Sequence, residues 1–154
     1  MLRTPVALGG GALLLAVVAA TPVKAEELPM HKAGYWEMKT AMGPISIVGH
    51  MCVDAASEKK AGYMVGEKNK KRCSKFSVQK TANGYIVDEV CSLVPGEAGS
   101  AKHIEITGNF DSAYTMKETA GTTEAKWLGA CPAGWTPGET EVAGTKVNTL
   151  DDKE

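Results

Sequence analysis

The chain has 154 residues, of which 44% are hydrophobic, with 17 Lys and Arg against 18 Asp and Glu. Residues 1–25 have the features of a cleaved leader. Without them the chain loses Arg3 and Lys24, which leaves 15 basic (17 less 2) and 18 acidic residues and a formal charge of −3. Nucleic-acid binding needs a clustered excess of basic side chains, so this balance excludes a nucleic-acid partner. The remaining length suits one domain with one core.

The first 25 residues have the features of a secretory signal peptide. Arg3 provides a basic start, an apolar stretch extends from Val6 to Ala20, and Val23-Lys24-Ala25 places small residues at the cleavage positions. The apolar stretch is shorter than the roughly 20 residues that cross a bilayer. We predict cleavage near Ala25, a periplasmic or secreted protein without a transmembrane segment, and an N-terminal extension over 26–33.

The next segment predicts a β-hairpin followed by a helix. Apolar and charged residues alternate from Trp36 to Lys39, and a second alternating run covers Ile45–Val53, as in strands with one buried face. Gly43-Pro44 separates the runs and favours a turn. Asp54 is suited to cap a helix, so we predict a short helix over Ala55–Ala61.

A second hairpin is predicted around Asn83-Gly84, a dipeptide that favours a two-residue type I′ turn. The flanking runs, Lys75–Thr81 and Tyr85–Val94, have strand composition. A turn of this kind would place Phe76 opposite Cys91.

Four cysteines follow the predicted leader, and an even number in an oxidising compartment indicates two disulfides. Three pairings are possible. The hairpin leaves Cys73 close to Cys91, and a bulge near Ser74 would bring the two sulfur atoms together. We therefore favour Cys73 with Cys91, and by elimination Cys52 with Cys131. No C-x-x-C pair is present, which weakens a zinc site or a thioredoxin-like role.

Three further strands are predicted: Lys102–Asn109, a shorter one through Tyr114 and Met116, and Glu124–Cys131. The following segment, 132–154, has few large apolar residues and is predicted to be a disordered acidic tail.

Together these elements predict a mainly β domain over 34–131. The expected architecture is an antiparallel meander of six or seven strands, forming a curved sheet or a partial barrel, with one short helix.

The order of three short motifs resembles a known family. The motifs are Gly34-Tyr35-Trp36-Glu37, Met51-Cys52 and Leu128-Gly129-Ala130-Cys131, with two cysteines between the second and the third. Together with the leader, this order resembles the bacterial family of proteins of unknown function numbered 3617. The resemblance implies a periplasmic location and assigns no activity. Gly34-x-Trp36 is also similar to the first strand of lipocalins, whose Trp packs across the closed end of a ligand-binding barrel.

Four residues form the expected structural motif: Gly34, Trp36, Trp127 and Gly129, with both Trp side chains in the core. The sequence contains no recognisable set of nucleophile, base and oxyanion donors, so we expect no catalysis and no cofactor. The expected role is binding, with a small apolar ligand, an envelope component or a protein as partner.

Two alternatives belong to other classes of protein. His50 and Met51, together with several other methionines, could supply the soft ligands that copper prefers. An enzyme of another type could use His103 and Glu105, which share a strand face.

Overall fold

A computed structural model describes residues 27–62, 71–92, 94 and 97–151. The predicted signal peptide lies outside the described residues. The described chain forms nine strands and one helix: β1 (Gly34–Met42), β2 (Ile45–Val53), α1 (Ala55–Ala61), β3 (Cys73–Lys80), β4 (Gly84–Cys91), β5 (Ser100–Asn109), β6 (Ala113–Glu118), β7 (Gly121–Gly129), β8 (Glu139–Val142) and β9 (Thr145–Asn148).

All nine strands belong to one antiparallel sheet with the order β3-β4-β5-β6-β7-β1-β2-β8-β9. The predicted mainly β class with one short helix is confirmed, although nine strands replace the expected six or seven. β3 and β9 are the two edges and do not pair with each other, so the sheet is open.

The first hairpin forms as the sequence predicts. Met42 lies opposite Ile45, and Gly43-Pro44 is a two-residue turn in which Gly43 has a φ of +57°. Glycine adopts this left-handed conformation without the steric cost that a Cβ would add.

The second hairpin has a different register from the predicted one. Lys80 lies opposite Tyr85 and Phe76 opposite Glu89, which centres the turn on Ala82-Asn83. Gly84 is instead paired with β5, where a Cβ would overlap the carbonyl oxygen of Ile106. The close approach of a neighbouring strand, rather than a positive φ, explains this glycine.

The disulfides join Cys73 to Cys91 and Cys52 to Cys131, the pairs that the sequence favoured. The register of β3 and β4 shifts between Cys73 and Lys75, so the bulge lies at Ser74 as expected. This extra residue brings Cys73 opposite Cys91 despite the changed turn.

The predicted disordered tail is wrong for the segment that forms β8 and β9. β8 pairs with β2, and β9 pairs with β8. Ala143 and Gly144, with φ values of +51° and +80°, make the two-residue turn between them. These strands can form with few large apolar residues, because backbone hydrogen bonds attach β8 to β2 and β9 to β8. Their threonines also favour the strand conformation.

The core lies on one face of the sheet. Its members are buried hydrophobic residues from most strands and from the segments that cross this face: Leu28, Trp36, Met51, Val53, Val78, Val87, Ile104, Ile106, Phe110, Tyr114, Met116 and Ala125. The N-terminal extension is part of this packing, since Leu28 is buried and the amide of Lys32 donates to the carbonyl of Phe110 at 2.8 Å.

Gly34 is expected to be intolerant of substitution. It has a φ of +135°, and a Cβ there would overlap the carbonyl oxygen of Gly129 and lie 2.6 Å from Nε1 of Trp127. Gly34→Ala should therefore reduce the free energy of unfolding by about 3 kcal/mol or more, through both backbone strain and overlap with β7.

Gly43→Ala is the matched control, because Gly43 also has a positive φ but nothing lies within 4 Å of the position that a Cβ would take. Its cost should be about 1 to 2 kcal/mol. Urea unfolding of both variants measures the difference, and equal losses would contradict the role of the Gly34–Gly129 contact.

Candidate functional site

A pocket of about 360 Å³ lies between α1 and the core face of β1, β2 and β8. Its walls are mainly apolar side chains and small residues, with a few hydroxyl groups: Met38, Thr40, Ile47, Gly49, Met51, Val53, Ser57, Ala61, Gly62, Thr140, Val142 and Thr149. Glu58 is the one acidic residue among the described lining residues. A cavity of this size and composition is suited to a small apolar ligand.

The pocket follows β2 from an exposed end to a buried end. Ile47 and Val142 are 37% and 43% exposed, whereas Met51 and Val53 are 9% and 8% exposed. Ile47 and Val53 are six residues apart on one strand, which corresponds to about 20 Å at a strand's rise per residue. The pocket is therefore an elongated groove, and we call it the β2 groove.

A buried hydrogen-bonded cluster adjoins the groove. Nδ1 of His31 lies 2.6 Å from Oε1 of Glu58, and Nε2 of the same ring lies 2.7 Å from the hydroxyl oxygen of Tyr114. That hydroxyl also points to Sδ of Met38 at 3.9 Å. His31, Glu58 and Tyr114 are 8%, 2% and 4% exposed, so these polar groups satisfy one another away from bulk water.

Aromatic rings enclose His31 on several sides. The ring centroids of Trp36 and Phe110 are each 5.0 Å from that of His31, in edge-to-face arrangements. The cluster thus fixes the N-terminal extension and α1 against the same part of the sheet. The sequence alone does not reveal the His31–Glu58 pair, because the two residues are 27 positions apart and no local pattern links them.

A capping box determines where α1 begins and so where Glu58 lies. The Asp54 carboxylate accepts from the amide of Ser57 at 2.7 Å, and the Ser57 hydroxyl accepts from the amide of Asp54 at 2.9 Å. The hydrogen bond from the Ser57 amide lowers the pKa of Asp54, since it stabilises the ionised carboxylate. The sequence predicted this cap and the bounds of the helix.

The structure separates the proposed copper ligands. Met51 is buried in the core cluster, whereas the His50 ring is on the opposite face, 3.4 Å from Glu141 and 3.7 Å from Glu37. Neighbouring residues of a strand point to opposite faces, so His50 and Met51 cannot hold one ion together.

His50 belongs instead to a small aromatic cluster on the outer face. Its ring stacks on Tyr35 with centroids 5.2 Å apart, and Trp135 meets Tyr35 edge-on at 5.0 Å. Desolvation raises the pKa of the Tyr35 hydroxyl, and the carboxylates of Glu141 and Glu37 raise it further. The three rings are therefore packed against one another.

Two further groups of side chains bear on the metal-binding and enzyme alternatives. Cys73, Glu89 and Cys91 come within ligand distance of one another, but the two sulfur atoms are joined in a disulfide. His103 is exposed and lies 2.7 Å from Asp88 and 3.9 Å from Glu105. This arrangement fits the polar outer face of a strand.

The residues of the structural motif meet at the junction of β1 and β7. Trp36 is fully buried and lies opposite both Met51 and Trp127 in the neighbouring strands. Trp127 packs against the core but is partly exposed, and the ammonium group of Lys32 lies 3.6 Å from its ring centroid. Trp36 is not among the lining residues of the β2 groove, but it lies beside Met51, which is.

Comparison with known proteins gives a family match over residues 31–131, to the family described as protein of unknown function (DUF3617). The chain belongs to the DUF3617 family. The matched part of this DUF3617 protein begins at His31 and ends at Cys131, so it includes the buried cluster, α1 and both disulfides, whereas β8 and β9 follow it. No curated protein and no solved structure matches the chain. Within the ranges that the structure describes, no helix has the length and apolar character needed to span a membrane.

Proposed function

We propose that this protein binds a small apolar ligand in the β2 groove and does not catalyse a reaction. The observation that carries the proposal is the groove itself, a mainly apolar pocket of about 360 Å³ beside a complete core. A binding site of this kind is concave and apolar, with few polar groups that orient the ligand. Glu58 and Thr140 line the groove and supply those polar groups. The hydroxyls of three other lining residues already bond within the protein: Thr40 to Thr123, Ser57 to Asp54 and Thr149 to Gly138.

The absence of catalysis is part of the proposal. Both ring nitrogens of His31, which adjoins the groove through Glu58, face Glu58 and Tyr114, so neither is directed at a ligand. A general base must reach the proton that it abstracts. This geometry supports a structural role for His31.

The periplasm is the proposed location. Two disulfides are formed and the described residues contain no free cysteine, which suits an oxidising compartment. The signal-peptide features of the first 25 residues support the same location. Mass spectrometry of protein purified from the periplasm would test this, and an intact leader would contradict it.

The binding proposal predicts that a bulky side chain on the groove face of α1 blocks the ligand. Ala61 lines the groove, so Ala61→Phe should fill part of it. We expect N-phenyl-1-naphthylamine, a neutral apolar fluorophore, to bind the wild-type protein saturably, and Ala61→Phe to weaken binding at least tenfold. Fluorescence titration measures both values.

Ala56→Phe is the matched control, since Ala56 is exposed on the same helix and does not line the groove. It should leave the affinity unchanged within about twofold. Circular dichroism confirms that both variants are folded. No saturable binding to the wild type, or equal binding to both variants, would contradict the proposal.

A further inference from the structure

The mouth of the β2 groove continues into an exposed apolar strip on the same sheet face. Ile45 is 58% exposed and Met42 is 38% exposed. Met42 lies opposite Ile45, which is two residues before the groove residue Ile47 on β2, so both side chains share the face of the groove beyond its exposed end. Exposed apolar residues that adjoin an apolar pocket mark a surface that a ligand covers.

The groove is long relative to its volume. At about 30 Å³ for each water-sized group, 360 Å³ accommodates about 12 groups. Spread over the distance between Ile47 and Val53, this volume suits a single chain rather than a fused ring system. A chain longer than the groove would extend over Ile45 and Met42.

The buried end of the groove carries a hydrogen-bond acceptor. Glu58 lines the groove while its Oε1 faces His31, and a Cβ on Gly62 would lie 3.2 Å from the Glu58 carboxyl carbon. The carboxyl group is therefore beside Gly62, which is also in the wall. An ionised carboxylate only accepts hydrogen bonds, so a ligand group that meets it must donate.

The charge of the wall also disfavours an anionic ligand. Among the described residues that line the groove, none is Lys or Arg, and Glu58 is acidic. His50 is also a lining residue, but its ring lies beside Glu37 and Glu141 on the opposite face. A fatty-acid carboxylate would therefore lie beside another acceptor at the buried end, with no lysine or arginine to neutralise it among the described lining residues. Like charges brought together in this way reduce affinity.

We infer that the ligand is an unbranched alkyl amphiphile with a hydrogen-bond-donating head, an alcohol or a primary amine. The head lies at Glu58, and the chain passes along β2 and out over Ile47 and Val142. This inference rests on the proposed function and specifies the ligand class of the same groove.

Displacement of bound N-phenyl-1-naphthylamine from the oxidised full-length protein at pH 7.5 tests the inference. The competitors are decan-1-ol, decylamine, decanoate and decyltrimethylammonium, which share a ten-carbon chain and differ in the head. Decan-1-ol and decylamine should displace the probe with inhibition constants at least tenfold lower than decanoate. Decyltrimethylammonium carries the cationic charge without a donor and should compete at least fivefold more weakly than decylamine.

Glu58→Gln keeps the side-chain shape and removes the negative charge. In this variant the preference for decylamine over decanoate should fall at least threefold. The wild-type series alone already decides the inference should the variant fail to fold. The ligand class would be overturned if decanoate bound as tightly as decylamine, or if none of the four compounds competed. Saturable binding of the probe would still support the proposed function in that case. Failure of the probe to bind would overturn the proposed function itself.

Discussion

Replacing Cys52 and Cys131 together with alanine is expected to lower the free energy of unfolding by about 4.5 kcal/mol, because this disulfide closes a loop with a sequence separation of 79 residues. A cross-link of this length removes much of the conformational freedom of the unfolded chain. The loss is a large fraction of the roughly 5 to 15 kcal/mol that is typical for a domain.

The position of this disulfide adds to its importance. Cys52 is fully buried at the end of β2, and its carbonyl accepts from the amide of Gly138 at 2.8 Å, just before β8. The Cys52–Cys131 disulfide therefore joins β2, the strand that forms the floor of the β2 groove, to the segment that follows β7.

The second disulfide provides the comparison. Cys73 and Cys91 have a sequence separation of 18 and join two strands that are already paired, so their replacement with alanine should cost about 3 kcal/mol. Urea unfolding of the two double variants measures both losses. A larger loss for the Cys73–Cys91 variant would contradict the expected order.

Glu58→Ala is expected to lower the free energy of unfolding by about 3 to 5 kcal/mol, because it removes one partner of a buried polar pair. Glu58 and His31 are 2% and 8% exposed, so water does not easily replace the lost carboxylate. Nδ1 of His31 would then remain buried without its partner. The loss should also weaken the attachment of α1 and the N-terminal extension to the sheet.

Glu58→Gln should cost at least about 1 kcal/mol less than Glu58→Ala, since an amide of the same length still offers a hydrogen-bond partner to His31. Glu105→Ala is the surface control, because Glu105 is exposed on β5, and it should change stability by less than about 0.5 kcal/mol. Thermal or urea unfolding gives all three values. A Glu58→Ala variant as stable as the surface control would show that the buried pair does not stabilise the fold.

Local signals in the sequence predicted much of the first half of the domain. Gly43-Pro44 identified a turn and Asp54 a helix start, because both depend on residues adjacent in the chain. Asn83-Gly84 was less informative, since the close approach of β5 rather than a type I′ turn explains Gly84. The type I′-like turn occurs at Ala143-Gly144, in a segment whose composition predicted disorder.

The candidate site could not be assembled from the sequence. Its walls come from β1, β2, α1 and β8, and its buried carboxylate is paired with a histidine from the N-terminal extension. Met51 illustrates the difficulty: its spacing placed it on an apolar face, but only the packing of α1 and β8 over that face leaves a groove beside it.

The sequence by itself determined the strand alternation, the helix cap and the family, since each depends on local chemistry or short motifs, and it favoured the cysteine pairing without deciding it. Only the tertiary structure decided that β8 and β9 extend the sheet, that His31 meets Glu58, and that the β2 groove exists. These features depend on contacts between distant segments, where backbone pairing and the burial of polar partners outweigh local composition.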